Sequence, residues 1–356
     1  MLQMYDYKKE NTEATVGIWV TAKSFFVKDT IAKLLSPKQV IGIRFNLTKE
    51  KQLNKLENSI KYINNNYPNK RIMLDFGGKK ERIKLLENKK AIKENEIIEL
   101  RKLPVEKGEV MNYKNTIIYI SEDIFNYISS NLHRNDKILI SDGWQQLEVL
   151  SSDDICITCS CLFDSVLYDN RGISVKGYYD KLEQNYDQDV DKYNILVEKG
   201  CNITDIALSF VNSSNQIIRM RNILKNNCEI IAKVETLSGI RNLGNILEEC
   251  NISMLGRGDL LVELSYYDYS FHSIEEMYYS LCQALDTEYI LATRVADSLE
   301  ENEEMSVSEL LYLRNEIKKM RKLNLLLSNE TSFDESKSIN NLMKILNNIR
   351  VINSFD

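Results

Sequence analysis

Two residues of opposite charge, Lys233 and Glu235, stand two apart in the apolar run IIAKVETLSGI (230–240), just before a Ser-Gly turn. On an extended chain, side chains two apart share a face. The ammonium and carboxylate therefore lie together, either as an ion pair on a solvated edge or as part of a site. A second charged group, Gly256-Arg257-Gly258-Asp259, closes the run ISML. Two carboxylates such as Glu235 and Asp259, from adjacent strands, can hold one Mg2+ or Mn2+ and leave its other positions to water and substrate oxygens. A lysine and an arginine alongside, Lys233 and Arg44, would neutralise a phosphoryl group in transfer. Glycines at 256 and 258 let the backbone approach a small anion closely.

Such residues need strands to bring them together, and the chain supplies them. Apolar runs at 15–22, 40–47, 71–76, 205–211, 229–235, 252–258, 289–295 and 323–329 are each followed by a stretch of helical periodicity. They are apolar throughout rather than alternating, as in a parallel sheet covered on both faces. Eight β/α units predict an α/β protein built on a closed TIM (β/α)8 barrel. No Gly-rich dinucleotide fingerprint follows the first strand. Residues 77–204 are far too many for one βα connection, and within them short alternating strands are broken by turn signals such as Asn-Asp and Asp-Gly. The expectation is a discontinuous barrel, residues 1–76 and 177–356, with a small all-β lid, residues 77–176, inserted after the third strand. Ser306 and Glu309 form a capping box for the helix between the last two strands.

In a barrel of this kind chemistry gathers at the C-terminal strand ends. The polar residues there are Arg44, Asn46 and Thr48; Asp75; Lys233 and Glu235; Gly256 to Asp259; Thr293; and Ser328, Asn329 and Glu330. Composition narrows the partners. With 43% hydrophobic and 28% charged residues the chain reads as globular, and a net charge of −6 argues against a nucleic-acid binder. No run approaches the ~20 apolar residues of a membrane span, and MLQMYDYKKENTEA lacks the apolar core of a signal peptide, so the cytoplasm is expected. Cys156, Cys159 and Cys161 suggest zinc, but a closed site wants four ligands, no second cysteine pair lies nearby and the chain has only two histidines. Buried, reduced thiols fit better.

CEIIAKVETLSGI (228–240) resembles the active-site signature of the pyruvate kinase family, and MLGRGDLLVEL (254–264) is similar to that family's MVARGDLGVEI. IGIRFNLT, MLDF, ILATRVADSL and LLLSNET resemble further family segments in the same order, and KILISDGWQQLEV resembles its lid turn, here Ser141-Asp142-Gly143. The resemblance implies that Lys233 and Arg44 grip the phosphoryl group and that Glu235 and Asp259 hold Mg2+ or Mn2+. It implies that Thr293 lies by the enolate carbon, that the backbone of Gly256, Arg257 and Gly258 binds the substrate carboxylate, and that Asn46, Thr48 and Asp75 form a K+ site. It also implies phosphoenolpyruvate and pyruvate as ligands with ADP and ATP, assembly of copies through the barrel, and absence of the family's C-terminal regulatory domain.

The chain departs from the family at the nucleotide end. Thr-Ile-Gly-Pro is replaced by Trp19-Val20-Thr21-Ala22, a histidine by Lys49, and Ser-Phe-Val-Arg by Ser209-Phe210-Val211-Asn212. Of the family's basic lid stretch, DNRGISVK (169–176) keeps only Arg171 and Gly172; Arg82, Asp142 and Arg171 are the candidates on this side. Lys80 stands where most members have glutamate, five residues after Asp75. It either replaces the K+ charge or belongs to a plain basic loop. Three functions remain in view: phosphoryl transfer between phosphoenolpyruvate and ADP, a repurposed enolpyruvate enzyme with another acceptor, and a non-catalytic binding protein.

Overall fold

The computed structural model describes residues 16–48, 50–103, 115–224, 228–293, 295–301, 304–320, 323–328, 330–331 and 334–354. All eight predicted apolar runs form strands: β1 (Gly17–Thr21), β2 (Val40–Asn46), β3 (Arg71–Phe76), β4 (Asp205–Leu208), β5 (Glu229–Val234), β6 (Ile252–Gly256), β7 (Glu288–Ala292) and β8 (Leu323–Leu327). They pair in parallel and close into a barrel in the order β1-β8-β7-β6-β5-β4-β3-β2. Helices pack outside, where residues such as Ile18, Ile43, Leu74 and Leu255 meet Ile31, Ile60, Tyr278 and Ile345 in the main core. The capping box forms, with Glu309 N donating to Ser306 Oγ at 3.2 Å and Ser306 N to Glu309 Oε2 at 2.7 Å. No helix among the described residues is long and apolar enough to cross a membrane.

The inside of the barrel has its own core, made of Trp19, Met73, Ala207, Ile231, Ile252, Met254, Ile290, Ala292 and Leu326. The Trp19 indole fills the place a side chain on β2 would take, since a Cβ on Gly42 would stand 2.4 Å from its ring. The period of two carries this inward phase along each strand: Met73 leads to Asp75, Ile231 to Lys233, Gly42 to Arg44, Met254 to Gly256. The same alternation that fills the barrel with apolar side chains therefore presents charged ones at its mouth.

Several predicted strands overran their ends. β4 stops at Leu208 and β7 at Ala292, because Phe210 and Thr293 take left-handed backbone angles, φ 57° and 58°. β6 stops at Gly256, where helix Arg257–Leu264 begins.

Between β3 and β4 lies a six-stranded sheet, ordered Ile173–Val175, Lys137–Ile140, Gln145–Ser152, Cys156–Cys161, Ile97–Lys102, Thr116–Ile120, with a two-stranded ribbon of Ser165–Tyr168 and Lys89–Ile92. Its core, including Ile98, Ile118, Phe125, Leu147 and Cys159, is separate from that of the barrel. Burial pushes the Cys159 thiol up to about 12. This part is not all-β, because it carries helix Glu122–Asn131. The local sequence explains the helix: Ser121 caps it by accepting from Ile124 N, Glu122 and Asp123 meet the positive end of the dipole, and Ile124, Phe125 and Ile128 bury one face.

Candidate active site

Inward phase and strand order bring Arg44, Asp75 and Lys233 together at the barrel mouth. Asp75, at the end of β3 and only 2% exposed, accepts from Arg44 Nε at 3.0 Å and from Arg44 Nη2, and from Lys233 Nζ at 3.2 Å. Burial disfavours its charge, but the Lys233 ammonium and then the Arg44 guanidinium outweigh it and hold the carboxyl at about 2. Lys233 Nζ also donates to Ser209 Oγ at 2.6 Å and lies 3.4 Å from Glu235 Oε1. Burial works against the ammonium, yet Asp75 and Glu235 keep its pKa above the usual lysine value. Glu235, just beyond β5, is buried and accepts from Phe210 N at 2.8 Å. Burial raises its pKa against the pull of Lys233, and Asp259 adds to the rise.

Asp259 sits in the first turn of helix Arg257–Leu264 and lines one cleft with Glu235, Lys80, Asp142 and Glu263. Glu235 and Asp259 are the hard oxygen donors that Mg2+ or Mn2+ takes. Gly256 makes room for them: a Cβ there would stand 2.3 Å from Glu235 Cγ, so only glycine lets the carboxylate lie against β6. The described residues contain no cluster of three or more His, Cys, Asp or Glu side chains suited to a metal. Two carboxylates would leave the remaining positions to water and substrate.

Lys80 Nζ donates to Asp259 Oδ1 at 2.6 Å and lies 3.8 Å from Asp142 Oδ1. Burial would discharge it, but Asp259 and then Asp142 raise its pKa. From Arg44 through Asp75, Lys233, Glu235, Asp259 and Lys80 to Asp142, positive and negative groups thus line the mouth, with Glu235 and Asp259 the one pair of like charges in succession.

Other expected site residues go elsewhere. Thr48 donates to Asp189 Oδ2 at 2.9 Å and accepts from Gly77 N at 2.6 Å, and Lys80 donates to Asp259 Oδ1. Asn46 is level with Asp75 in the β2–β3 register. Arg257 is buried and turned into the barrel wall, donating from Nε to Thr293 O at 3.0 Å and lying 4.7 Å from the Tyr312 ring centre. It steadies the left-handed turn that presents Thr293, whose Oγ1 accepts from Gly258 N at 3.2 Å. Arg82 donates to Asn170 O at 2.9 Å, and the Arg171 guanidinium lies 5.6 Å from the Tyr168 ring centre. Glu330 caps backbone, accepting from Ser328 N and Ala296 N. Lys49 and Asn329 lie outside the described residues.

Two residues were missed by sequence reasoning. Ser209 follows β4 as Asp75 follows its own apolar run, and a polar survey of that strand end would have found it. Glu263 lies four residues after Asp259, on the same helical face. It is buried, and neither carboxyl oxygen has a hydrogen-bond partner.

Residues 26–333 match the family model of the pyruvate kinase barrel domain. The chain is 28% identical over 225 residues to a pyruvate kinase of Staphylococcus saprophyticus, which covers 60% of this chain and 38% of that protein. It is 29% identical over 233 residues to that of Geobacillus stearothermophilus, covering 63% of this chain and 38% of the relative. These matches span well under half of each relative's length. The fold is shared with a pyruvate kinase from Cryptosporidium parvum, at a TM-score of 0.71 and 20% identity, over 93% of this chain and 68% of that one. With a barrel-domain match that runs through every strand from β2 to β8, the chain belongs to the pyruvate kinase family.

Proposed function

We propose that the chain catalyses metal-dependent phosphoryl transfer between phosphoenolpyruvate and ADP, giving pyruvate and ATP. What supports this most is the row of groups at the barrel mouth, with Lys233 held between Asp75 and Glu235 and Arg44 on the far side of Asp75. Lys233 and Arg44 are fixed cations where three phosphoryl oxygens would gather charge as the bond to the enol oxygen breaks. Asp75 orients both and, ionised even in acid, never competes for their protons. Glu235 and Asp259 would hold Mg2+ or Mn2+, which when bound neutralises phosphate and carboxylate oxygens. Helix Arg257–Leu264 begins at the cleft, so the positive end of its dipole would favour a substrate anion there. Thr293, whose Oγ1 accepts from Gly258 N, would help deliver the proton that converts enolate to pyruvate.

The cleft between Glu235, Asp259 and the inserted sheet is lined also by Lys80, Asp142 and Gly172. A coupled assay with phosphoenolpyruvate, ADP and Mg2+ tests the reading; absence of turnover with every nucleoside diphosphate overturns it.

One observation favours a second reading. Asn212 stands where the family has arginine and is occupied by Tyr179 O at 2.8 Å and by Thr236, while Tyr179 stacks on Phe210 with centroids 4.7 Å apart. The acceptor side is thus rebuilt, and an enolpyruvate enzyme with another acceptor would keep the Lys233 half alone. Exchange of pyruvate methyl protons without nucleotide turnover distinguishes it. Failure of oxalate, an enolpyruvate mimic, to bind with Mg2+ would leave a non-catalytic binding protein.

A further inference from the structure

We propose that the Lys80 ammonium is a tethered competitor for the divalent cation at Asp259, and that Asp142 of the inserted sheet takes Lys80 up when the metal enters. This rests on the metal-binding part of the function proposed above and goes beyond it. Lys80 Nζ stands 2.6 Å from Asp259 Oδ1. A divalent ion binds such an oxygen at about 2.1 Å, which would set two positive charges against one carboxylate, so each weakens the other's hold on it. A lysine displaced from Asp259 loses its shorter ion partner, and the structure offers it a second on the insert, Asp142 Oδ1 at 3.8 Å.

The surroundings suit a short transfer. The Lys80 stem runs across Gly172, where a Cβ would meet Cε at 3.0 Å, so the absence of a side chain there leaves the channel open. Asp142 lies on the turn Ser141-Asp142-Gly143, left-handed at all three residues, and Ser141 N is anchored to Gly172 O at 2.9 Å. The carboxylate that receives Lys80 and the glycine that lets it pass therefore move as one piece of the insert. Barrel and insert are joined across the cleft by Lys80, and metal entry would exchange its partner from the barrel side to the insert side.

The test is Mn2+ binding by calorimetry to the full chain, without substrate or nucleotide, for the wild type, Lys80→Met, Asp142→Asn and the double variant, with thermal unfolding confirming that each is folded. Lys80→Met should bind Mn2+ about tenfold more tightly, in line with ordinary intramolecular coupling. Asp142→Asn, which keeps a residue tolerant of left-handed angles, should bind it several-fold more weakly. In the Lys80→Met background Asp142→Asn should have no effect, because its carboxylate acts through Lys80. Unchanged or weaker binding by Lys80→Met overturns the proposal. So does an equal loss from Asp142→Asn in both backgrounds, which would mark simple long-range charge, and so does tight Mn2+ binding that survives Asp259→Asn. Turnover of phosphoenolpyruvate with unchanged Mn2+ affinity in Lys80→Met would overturn this inference and leave the proposed function standing; tightening without turnover would do the reverse.

Discussion

Glu263→Gln should stabilise the protein in mildly alkaline solution and leave it unchanged in acid. Glu263 is 2% exposed on helix Arg257–Leu264, with both oxygens buried and lacking a hydrogen-bond partner. Burial first, and the charge of Asp180 second, push its carboxyl up from 4.5 to about 7. Because the folded value is raised, the folded state holds a proton that the unfolded chain has already released, and stability falls as pH rises from about 4.5 to about 7. Above that range the whole cost is present. At ~1.4 kcal/mol per unit, the 4.5 to about 7 shift is worth about 3 kcal/mol.

Glutamine reproduces the protonated acid, one donor and one acceptor, and has nothing to ionise. Near pH 4 the two proteins should melt together; near pH 8 the variant should melt about 4 °C higher, taking ~2 cal/mol/K of unfolding entropy per residue. Differential scanning calorimetry across that range reads the difference directly, and its growth should run from about 4.5 to about 7 and level off above. A difference in melting temperature that is the same at both ends would refute the reasoning, since a packing effect has no proton in it.

Three further outcomes follow from the site. Lys233→Met should reduce phosphoenolpyruvate-dependent ATP formation by on the order of 10³-fold in the coupled assay, while Mn2+ binding persists; wild-type turnover in the variant would remove Lys233 from the chemistry. Gly256→Ala should abolish tight Mn2+ binding in a folded protein, because the new Cβ would stand 2.3 Å from Glu235 Cγ and push the carboxylate aside; unchanged affinity by calorimetry would show that Glu235 is not a ligand. Turnover should not change when K+ is replaced by tetramethylammonium, since Asp75 already has Arg44 and Lys233 and Thr48 is turned to Asp189. A rate that collapses without K+ would contradict this.

The barrel was legible because each of its strands is a run of buried residues long enough to stand out, such as LNLLL in β8 and ISMLG in β6. Strand ends were less so: Phe210 and Val211 continue the apolar character of β4 while the backbone has already turned. The helix at Glu122–Asn131 was written in local signals, a serine cap and two acids, that the surrounding alternation masked. In the site, one rule was enough to group Arg44, Asp75, Lys233 and Glu235, because residues in the inward phase of neighbouring strands must converge. Partner choice beyond that rule has no local signal. Lys80 and Asp259 are 179 positions apart and meet only because the inserted sheet lies over the barrel mouth. Thr48 finds Asp189, 141 positions away, through a helix that no strand period describes. Arg257 shows the same limit within a signature: it follows a strand that ends at the mouth, but the helix it begins turns its guanidinium back onto the carbonyls of Ala292 and Thr293. A motif therefore fixes which backbone reaches the cleft, while the elements packed over it decide which side chains act there.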